Sequence, residues 1–171
     1  MGRRGMTAAC VPDWRFVFRH PAHAVAFGFG AGLSPVAPGT AGSLAALPLF
    51  LLLHPLLSST AAWLIVLTVF YLVGVWACQT TGAALGVADH HGIVWDEIVA
   101  MLLVLVFTPA TLPGFGAAFL LFRLFDVWKP FPIRAVDRNT RGGAGVMLDD
   151  LLAAGYVLLT MSGLHWIGVG I

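Results

Sequence analysis

This chain carries unusually little charge for its length. Asp, Glu, Lys and Arg together make up 10% of its 171 residues, against roughly 25% in an average soluble domain. Apolar residues make up 59%, with 20 glycines in addition, and the mean hydropathy is +0.91. Because so few charged side chains cannot cover the surface of a soluble domain, the composition predicts an integral membrane protein.

Other scarcities exclude further classes of protein. Two cysteines, Cys10 and Cys78, are too few for a disulfide scaffold. Disordered chains are poor in apolar residues and rich in charge, which is the opposite of this composition. A net charge of +1 gives no reason to expect a nucleic-acid partner. The length suits a single domain, and we expect residues 1–20 to form an N-terminal interfacial segment and residues 21–171 to form one membrane-embedded domain.

The few charges are concentrated in short stretches of the chain. No Asp, Glu, Lys or Arg occurs over residues 20–88, whereas seven of the eight acids lie within residues 89–150. Four of the nine bases precede the uncharged tract, and the other five fall within residues 123–141. Since basic flanks of membrane segments stay in the cytoplasm, both basic regions are predicted to be cytoplasmic, together with the clustered acids.

The apolar pattern predicts an all-α, polytopic membrane bundle of about four main hydrophobic helices plus short or re-entrant segments. The glycine- and proline-rich stretch over residues 28–43 is expected to be non-helical, which at membrane depth requires burial in protein or a wet cavity. The predicted helices cover residues 43–57, 61–85, 96–107, 113–127 and 146–167. Residues 12–20 are expected to begin a helix that touches the lipid interface.

Two pairs of adjacent acids fall at the starts of predicted helices. Asp96 and Glu97 open the helix at 96–107, where carboxylates in the first turn are stabilised by the helix dipole by roughly 0.3–1 kcal/mol. Helix capping is therefore a sufficient explanation for this pair. Asp149 and Asp150 lie inside the start of an otherwise apolar helix. Capping explains this second pair poorly, because an unpaired acidic doublet is costly in a membrane helix.

The third polar element mixes acids with bases. Arg123, Asp126 and Lys129 are spaced three residues apart, so they are predicted to share one helix face, and a ladder of ion pairs would explain them equally well. Arg134 and Arg138 follow at a spacing of four, at which they repel each other unless an anion or an acid lies between them. Arginine and lysine are also the side chains that pair with phosphate groups.

Together these elements predict a site for a hard cation and a phosphate. Carboxylates from three helix ends on one membrane face form an oxygen-donor set suited to Mg²⁺. The stretch 38–43, which includes Thr40 and Ser43, precedes a predicted helix and is a natural phosphate cradle, although it lacks the lysine of a nucleotide-binding loop. His90 and His91 are adjacent rather than at metal-ligand spacing and are expected at the rim, with His91 available as a proton carrier.

Four segments of the chain resemble the bacterial phosphatidylglycerophosphatase A family, and the resemblance extends over residues 20–165. The segments are Gly-Leu-Ser-Pro-Val-Ala-Pro-Gly-Thr-Ala-Gly-Ser at 32–43, His-Gly-Ile-Val-Trp-Asp-Glu at 91–97, Phe-Arg-Leu-Phe-Asp-Val-Trp-Lys-Pro-Phe-Pro-Ile-Arg at 122–134, and 137–150, which begins Asp-Arg-Asn and ends Asp-Asp. The resemblance implies a Mg²⁺-dependent lipid phosphatase of the inner membrane, and the distribution of basic residues predicts that its active site faces the cytoplasm. Its substrate would be phosphatidylglycerophosphate and its products phosphatidylglycerol and inorganic phosphate.

The resemblance and the residue chemistry assign the same site. The predicted catalytic and Mg²⁺-binding residues are Asp96, Glu97, Asp126, Asp149 and Asp150. The predicted phosphate-binding residues are Thr40, Ser43, Arg123, Lys129, Arg134 and Arg138. Attack on phosphorus by water and by an aspartate both remain open mechanisms.

Two alternative functions belong to other classes. A CDP-alcohol phosphotransferase would also use membrane carboxylates and a divalent ion, but its Asp-Gly-x-x-Ala-Arg opening is absent from this sequence. A small ion or solute transporter subunit would carry acids in its central helices, and the predicted helix at 61–85 contains none.

Overall fold

A computed structural model describes residues 11–140 and 142–168, and over these residues the chain forms helices and no strands. The all-α prediction is confirmed for this part of the chain. Predictions for the basic residues Arg3, Arg4 and Arg141 lie outside it. The helices are α1 Trp14–Arg19, α2 Pro21–Ala26, α3 Pro38–Leu53, α4 Thr60–Leu85, α5 Trp95–Val106, α6 Leu112–Trp128, α7 Ile133–Asn139 and α8 Gly143–Trp166, and a 3-10 helix spans Gly28–Leu33.

The short helix α5 lies at the centre of the bundle. Nine of its 12 residues are buried, and α3, α4, α6 and α8 all pack against it. A helix that is apolar on every side buries all of its faces, which explains its central position. Two hydrogen bonds fix where it begins. The Val94 N–H donates to the Ala26 carbonyl at 2.8 Å, and the Trp95 Nε1–H donates to the Phe70 carbonyl at 3.0 Å.

Two helices are long and apolar enough to cross a membrane. They are α4, with 26 residues and a mean hydropathy of 2.2, and α8, with 24 residues and a mean hydropathy of 1.5. Large apolar side chains such as Leu64, Ile65 and Leu72 project from α4 into the surroundings. An apolar surface of this kind fits a protein that associates with lipid. The helix α3 is apolar but shorter.

The start of α3 differs from its prediction. The stretch 28–43 was expected to be irregular throughout, but only its first part is. Gly30 and Ala37 adopt positive φ angles of 113° and 48°, and α3 then begins at Pro38, five residues before the predicted start. Proline suits the first position of a helix because its missing N–H would have no helical partner there. The prediction that residues 38–43 are non-helical is therefore wrong.

The polar segments meet at one end of the bundle. The end of α4 and the start of α8 are joined by a 2.8 Å hydrogen bond from the Gly143 N–H to Gln79 Oε1, and Ala88 and Gly142 line the same small cavity. Because α5 begins and α6 ends near this point, the residues around 89–97, 123–129 and 149–150 share one face of the protein.

Cysteines introduced at His90 and at Thr140 are expected to be modified from the same side of the membrane, because both positions lie at the polar end of the bundle. The measurement is labelling of sealed vesicles with a membrane-impermeant maleimide, in a background in which Cys10 and Cys78 are replaced by serine and alanine. Labelling of the two positions from opposite sides would contradict the shared polar end.

Candidate active site

Three carboxylates converge where α5 and α8 begin. Asp96 and Glu97 lie in the first turn of α5, and Asp150 lies in the second turn of α8. One oxygen from each of these side chains lies within 4.8 Å of the other two. The burial is deep, since only 8% of Asp96 and 3% of Asp150 are exposed. The structure thus brings together three of the five acids predicted as a metal site.

Within residues 11–140 and 142–168, four buried carboxylate oxygens of this group and of the adjacent Asp149 have no hydrogen-bond partner. They are Asp96 Oδ1, Glu97 Oε2, Asp149 Oδ1 and Asp150 Oδ2. A buried charge without a partner costs several kcal/mol, so these oxygens require either a proton or a bound cation. Oxygen donors from carboxylates are the ligands that Mg²⁺ prefers. The donor set therefore fits a hard divalent cation.

Asp96 and Glu97 lie in the first turn of α5, where the helix dipole favours acids, but the N-cap residue is Val94, whose side chain makes no capping hydrogen bond. Capping does not account for the second pair of acids. Asp149 and Asp150 are six and seven residues beyond the first residue of α8, which begins at Gly143. The four free N–H groups of a helix lie in its first turn, out of reach of the doublet.

Arg123 holds one side of the cluster. Its Nη1 lies 2.6 Å from Asp126 Oδ2, one helical turn away on α6, and 3.9 Å from Glu97 Oε1. It also donates a long hydrogen bond of 3.5 Å to Ser43 Oγ on α3. Arg123 thus links three helices, and its charge is shared between a carboxylate of the cluster and Asp126 next to it.

Lys129 holds the other side of the cluster. Its Nζ lies 2.6 Å from Asp149 Oδ2 and 3.1 Å from Asp137 Oδ1. Burial alone would lower the pKa of this ammonium group, but the two hydrogen-bonded carboxylates outweigh it, so the pKa of Lys129 is raised. The group is therefore a permanent cation between α7 and α8.

The predicted common face of Arg123, Asp126 and Lys129 is only partly present. The first two form an ion pair one turn apart on α6. Lys129 lies just past the end of that helix, with a left-handed φ of 45°, so its side chain leaves the α6 face and reaches α8. The expectation of one three-residue ladder is therefore wrong for Lys129.

The glycine-rich stretch contacts the cluster instead of forming an open loop. Gly39 lies in the first turn of α3, where a Cβ atom would collide with Glu97 Oε1. At Gly42 a Cβ would meet the Val94 Cβ at 2.8 Å and the Val94 carbonyl oxygen at 3.0 Å. These glycines allow close packing of α3 on the start of α5. Ser43 Oγ donates to the Gly39 carbonyl at 2.9 Å.

Three predicted phosphate-binding residues lie outside this cluster. Thr40 forms no hydrogen bond with another predicted site residue in the part of the chain that the structure describes. Arg134 and Arg138 lie on α7 and line a groove of about 470 Å³ together with Lys129. His91 is exposed and stacks on His90 at a ring distance of 4.1 Å.

Sequence reasoning missed the residues that hold the cluster in position from a distance. The Ala26 carbonyl and the Phe70 carbonyl, which anchor the start of α5, belong to apolar segments without any polar signal. Asp137 was part of the family resemblance but had no assigned role. The proximity of Asp137 to Lys129, eight positions earlier, follows from the turn between α6 and α7.

The fold and the site together define a class of protein. It is an apolar helical bundle with two helices of membrane-spanning length. At one end it holds a carboxylate cluster between the side chains of Arg123 and Lys129. A sequence model of the family described as phosphatidylglycerophosphatase A matches residues 24–165 of this chain. The chain belongs to the phosphatidylglycerophosphatase A family, as the sequence resemblance implied.

Individual relatives agree with this assignment. Phosphatidylglycerophosphatase A of Escherichia coli strain K12 is 42% identical over 157 residues, which cover 89% of each chain. Phosphatidylglycerophosphatase A of Haemophilus influenzae is 44% identical over 148 residues, which cover 86% of this chain and 90% of the relative. A protein of Bacteroides thetaiotaomicron named putative phosphatidylinositol-3-phosphatase is 39% identical over 148 residues, 82% of this chain and 91% of its own. No solved structure matches the chain.

Family membership decides between the classes of function. The chain is a phosphatase, and neither the phosphotransferase nor the transporter alternative is supported by a relative.

Gly39→Ala is expected to lower phosphatase activity on the order of 10–100-fold and to leave the protein folded. A small displacement of a catalytic group such as the Glu97 carboxylate costs about that much activity. The added methyl group would displace the flexible end of Glu97, not the backbone. Activity and the thermal unfolding temperature in detergent measure the two effects.

Two glycine variants serve as comparisons for Gly39→Ala. Gly42→Val should lower the unfolding temperature, because its side chain meets the Val94 backbone. Gly116→Ala lies on α6 with nothing near the added methyl, and it should change neither quantity except for a small gain in helix stability. Normal activity in Gly39→Ala would show that the Gly39–Glu97 contact does not matter for catalysis.

Proposed function

We propose that this enzyme hydrolyses the terminal phosphate monoester of phosphatidylglycerophosphate and releases phosphatidylglycerol and inorganic phosphate. The carboxylate cluster is the observation that carries the proposal. Its buried oxygens without partners suit a divalent ion, and the neighbouring side chains of Arg123 and Lys129 suit a phosphate. Two relatives that share at least 42% of their aligned residues bear the name of this activity.

Asp96, Glu97 and Asp150 are the residues that would hold Mg²⁺, since their oxygens already converge and include unpartnered atoms. Asp149 contributes one unpartnered oxygen, while its other oxygen is bound by Lys129. Asp126 is paired with Arg123 and lies at the edge of the set. A bound Mg²⁺ would activate water and neutralise charge on the phosphoryl oxygens.

The side chains of Arg123 and Lys129 would bind and stabilise the phosphoryl group of the substrate. Arg123 offers a planar guanidinium for two hydrogen bonds to phosphoryl oxygens, and Lys129 offers a compact ammonium charge. Both are held in place by carboxylates before substrate arrives, so little reorganisation is needed when negative charge develops in the transition state. An oxygen nucleophile forms a bond to phosphorus, the bond from phosphorus to the glycerol oxygen breaks, and that glycerol oxygen gains a proton.

The bundle is proposed to be a multi-pass protein of the bacterial inner membrane, with residues 21–171 as its single lipid phosphatase domain. Apolar side chains exposed on α3 and α4 support contact with lipid. Trp14 and Phe18 are both 60% exposed on α1 and support an interfacial position for the N-terminal segment. The basic residues around α7 favour a cytoplasmic location for the site.

Purified protein in detergent micelles is expected to release phosphate from phosphatidylglycerophosphate in the presence of Mg²⁺ and to stop when the ion is chelated. Phosphatidylinositol 3-phosphate should be assayed in parallel, because one relative is named for that substrate. Phosphate release that is unaffected by chelation would contradict the Mg²⁺ proposal. Absence of release from phosphatidylglycerophosphate under any metal condition would contradict the activity itself.

Asp150→Asn is expected to lower activity by at least about 100-fold, since replacing even supporting residues of metal sites costs 10–100-fold. The variant should remain folded, because it removes a buried charge. Asp13→Asn is the matched control: Asp13 caps α1 through a 2.8 Å hydrogen bond from the Phe16 N–H, and asparagine caps about as well as aspartate. Full activity in Asp150→Asn at ordinary Mg²⁺ concentrations would remove Asp150 from the metal site.

A further inference from the structure

The groove beside α7 is a second feature of this end of the protein, and of its lining residues only Lys129 takes part in the proposed phosphomonoester chemistry. Its walls combine exposed aromatic side chains with basic ones. Trp128 is 60% exposed and Phe131 is 82% exposed. Arg134 and Arg138 are exposed on the same helix, and Lys129 closes the groove toward the carboxylate cluster.

The two arginines of the groove lack a carboxylate to balance them. Neither guanidinium forms a salt bridge within residues 11–140 and 142–168. Asp137 lies between them in the sequence, but its carboxylate pairs with Lys129 at 3.1 Å. Arg134 donates a long hydrogen bond of 3.4 Å to the Trp128 carbonyl. Two like charges one helical turn apart repel each other, so the pair favours a bound anion.

Lys129 connects the groove with the carboxylate cluster. Its side chain lines the groove, and its Nζ contacts Asp149 at 2.6 Å, whose neighbour Asp150 belongs to the cluster. A molecule with two phosphate groups separated by a short polyol can therefore contact both places, with one phosphate on each side of Lys129.

We infer that the groove binds the phosphodiester of the lipid substrate through Arg134 and Arg138, and that it thereby selects lipids carrying a second phosphate. This inference rests on the proposed function, which assigns the monoester to the carboxylate cluster. In this arrangement Arg134 and Arg138 contact the phosphodiester, and the reacting phosphate is left to the carboxylate cluster. Arg134 and Arg138 are accordingly specificity-determining residues and not catalytic ones.

The aromatic side chains that line the groove indicate that the bound phosphodiester belongs to a lipid. Exposed tryptophan and phenylalanine next to arginine are the side chains that occupy the boundary between head groups and acyl chains. Trp128 and Phe131 would contact the glycerol and the first carbons of the acyl chains. A free phosphate or a soluble phosphodiester would gain nothing from these two side chains.

Binding of phosphatidylglycerol tests the groove without any turnover. This lipid carries the phosphodiester but no monoester, and its fluorescent acyl-labelled form can be titrated with purified protein in neutral detergent micelles. We expect Arg138→Gln to weaken binding about tenfold and the double variant with Arg134→Gln to weaken it further, because charge-assisted bonds to phosphate are lost. Arg15→Gln, an exposed arginine on α1, is the matched control and should bind normally.

Kinetics provide the second measurement. In Arg138→Gln the KM for phosphatidylglycerophosphate should rise about tenfold with kcat little changed, because Arg138 binds the phosphodiester and not the phosphate that reacts. Unchanged phosphatidylglycerol binding in both arginine variants would overturn the inference, as would a fall in kcat with KM unchanged. Failure of the wild-type protein to hydrolyse phosphatidylglycerophosphate would instead overturn the proposed function, while the binding titration would still test the groove.

Discussion

The burial of carboxylate groups in an apolar helical bundle is the constraint on which the rest of this structure depends. Each buried charge costs several kcal/mol unless it is paired or bound to a metal. The bundle pairs Asp126 with Arg123 and Asp149 with Lys129, and within the described residues it leaves oxygens of Asp96, Glu97 and Asp150 without partners. These oxygens require either a proton or a bound cation.

The packing of neighbouring helices around α5 determines the positions of the carboxylates at this polar end. Because most of α5 is buried, Asp96 in its first turn is held inside the protein, while the neighbouring Glu97 keeps a small exposed part. Close approach by α3 is possible because Gly39 and Gly42 carry no side chain there. The same contact brings Ser43 within 3.5 Å of Arg123. A small change in the packing of α3 would therefore alter the electrostatics of the site.

Local sequence patterns predicted the helices well, but not the contacts between them. The expected helix at 61–85 matches α4, and the expected helix at 96–107 matches α5, because both depend on apolar composition along one segment. The start of α3 was predicted five residues too late, since its glycines and prolines suit a loop unless other segments pack against them. The left-handed conformation of Lys129 at the end of α6 could not be predicted either, because it depends on the distant residues that the lysine side chain contacts.

The shortness of α5 has a consequence for the lipid around the proposed membrane protein. Twelve residues rise only about 18 Å, whereas the hydrocarbon core of a bilayer is about 30 Å thick. The turn that follows satisfies its polar groups internally: Thr108 Oγ1 donates to the Val104 carbonyl at 2.8 Å, and Thr111 Oγ1 accepts from the Gly114 N–H at 3.1 Å. Phe107 and Leu112 are exposed at this turn, so it would favour a locally thinned bilayer beside it, and membranes of different thickness would strain this part of the protein to different extents.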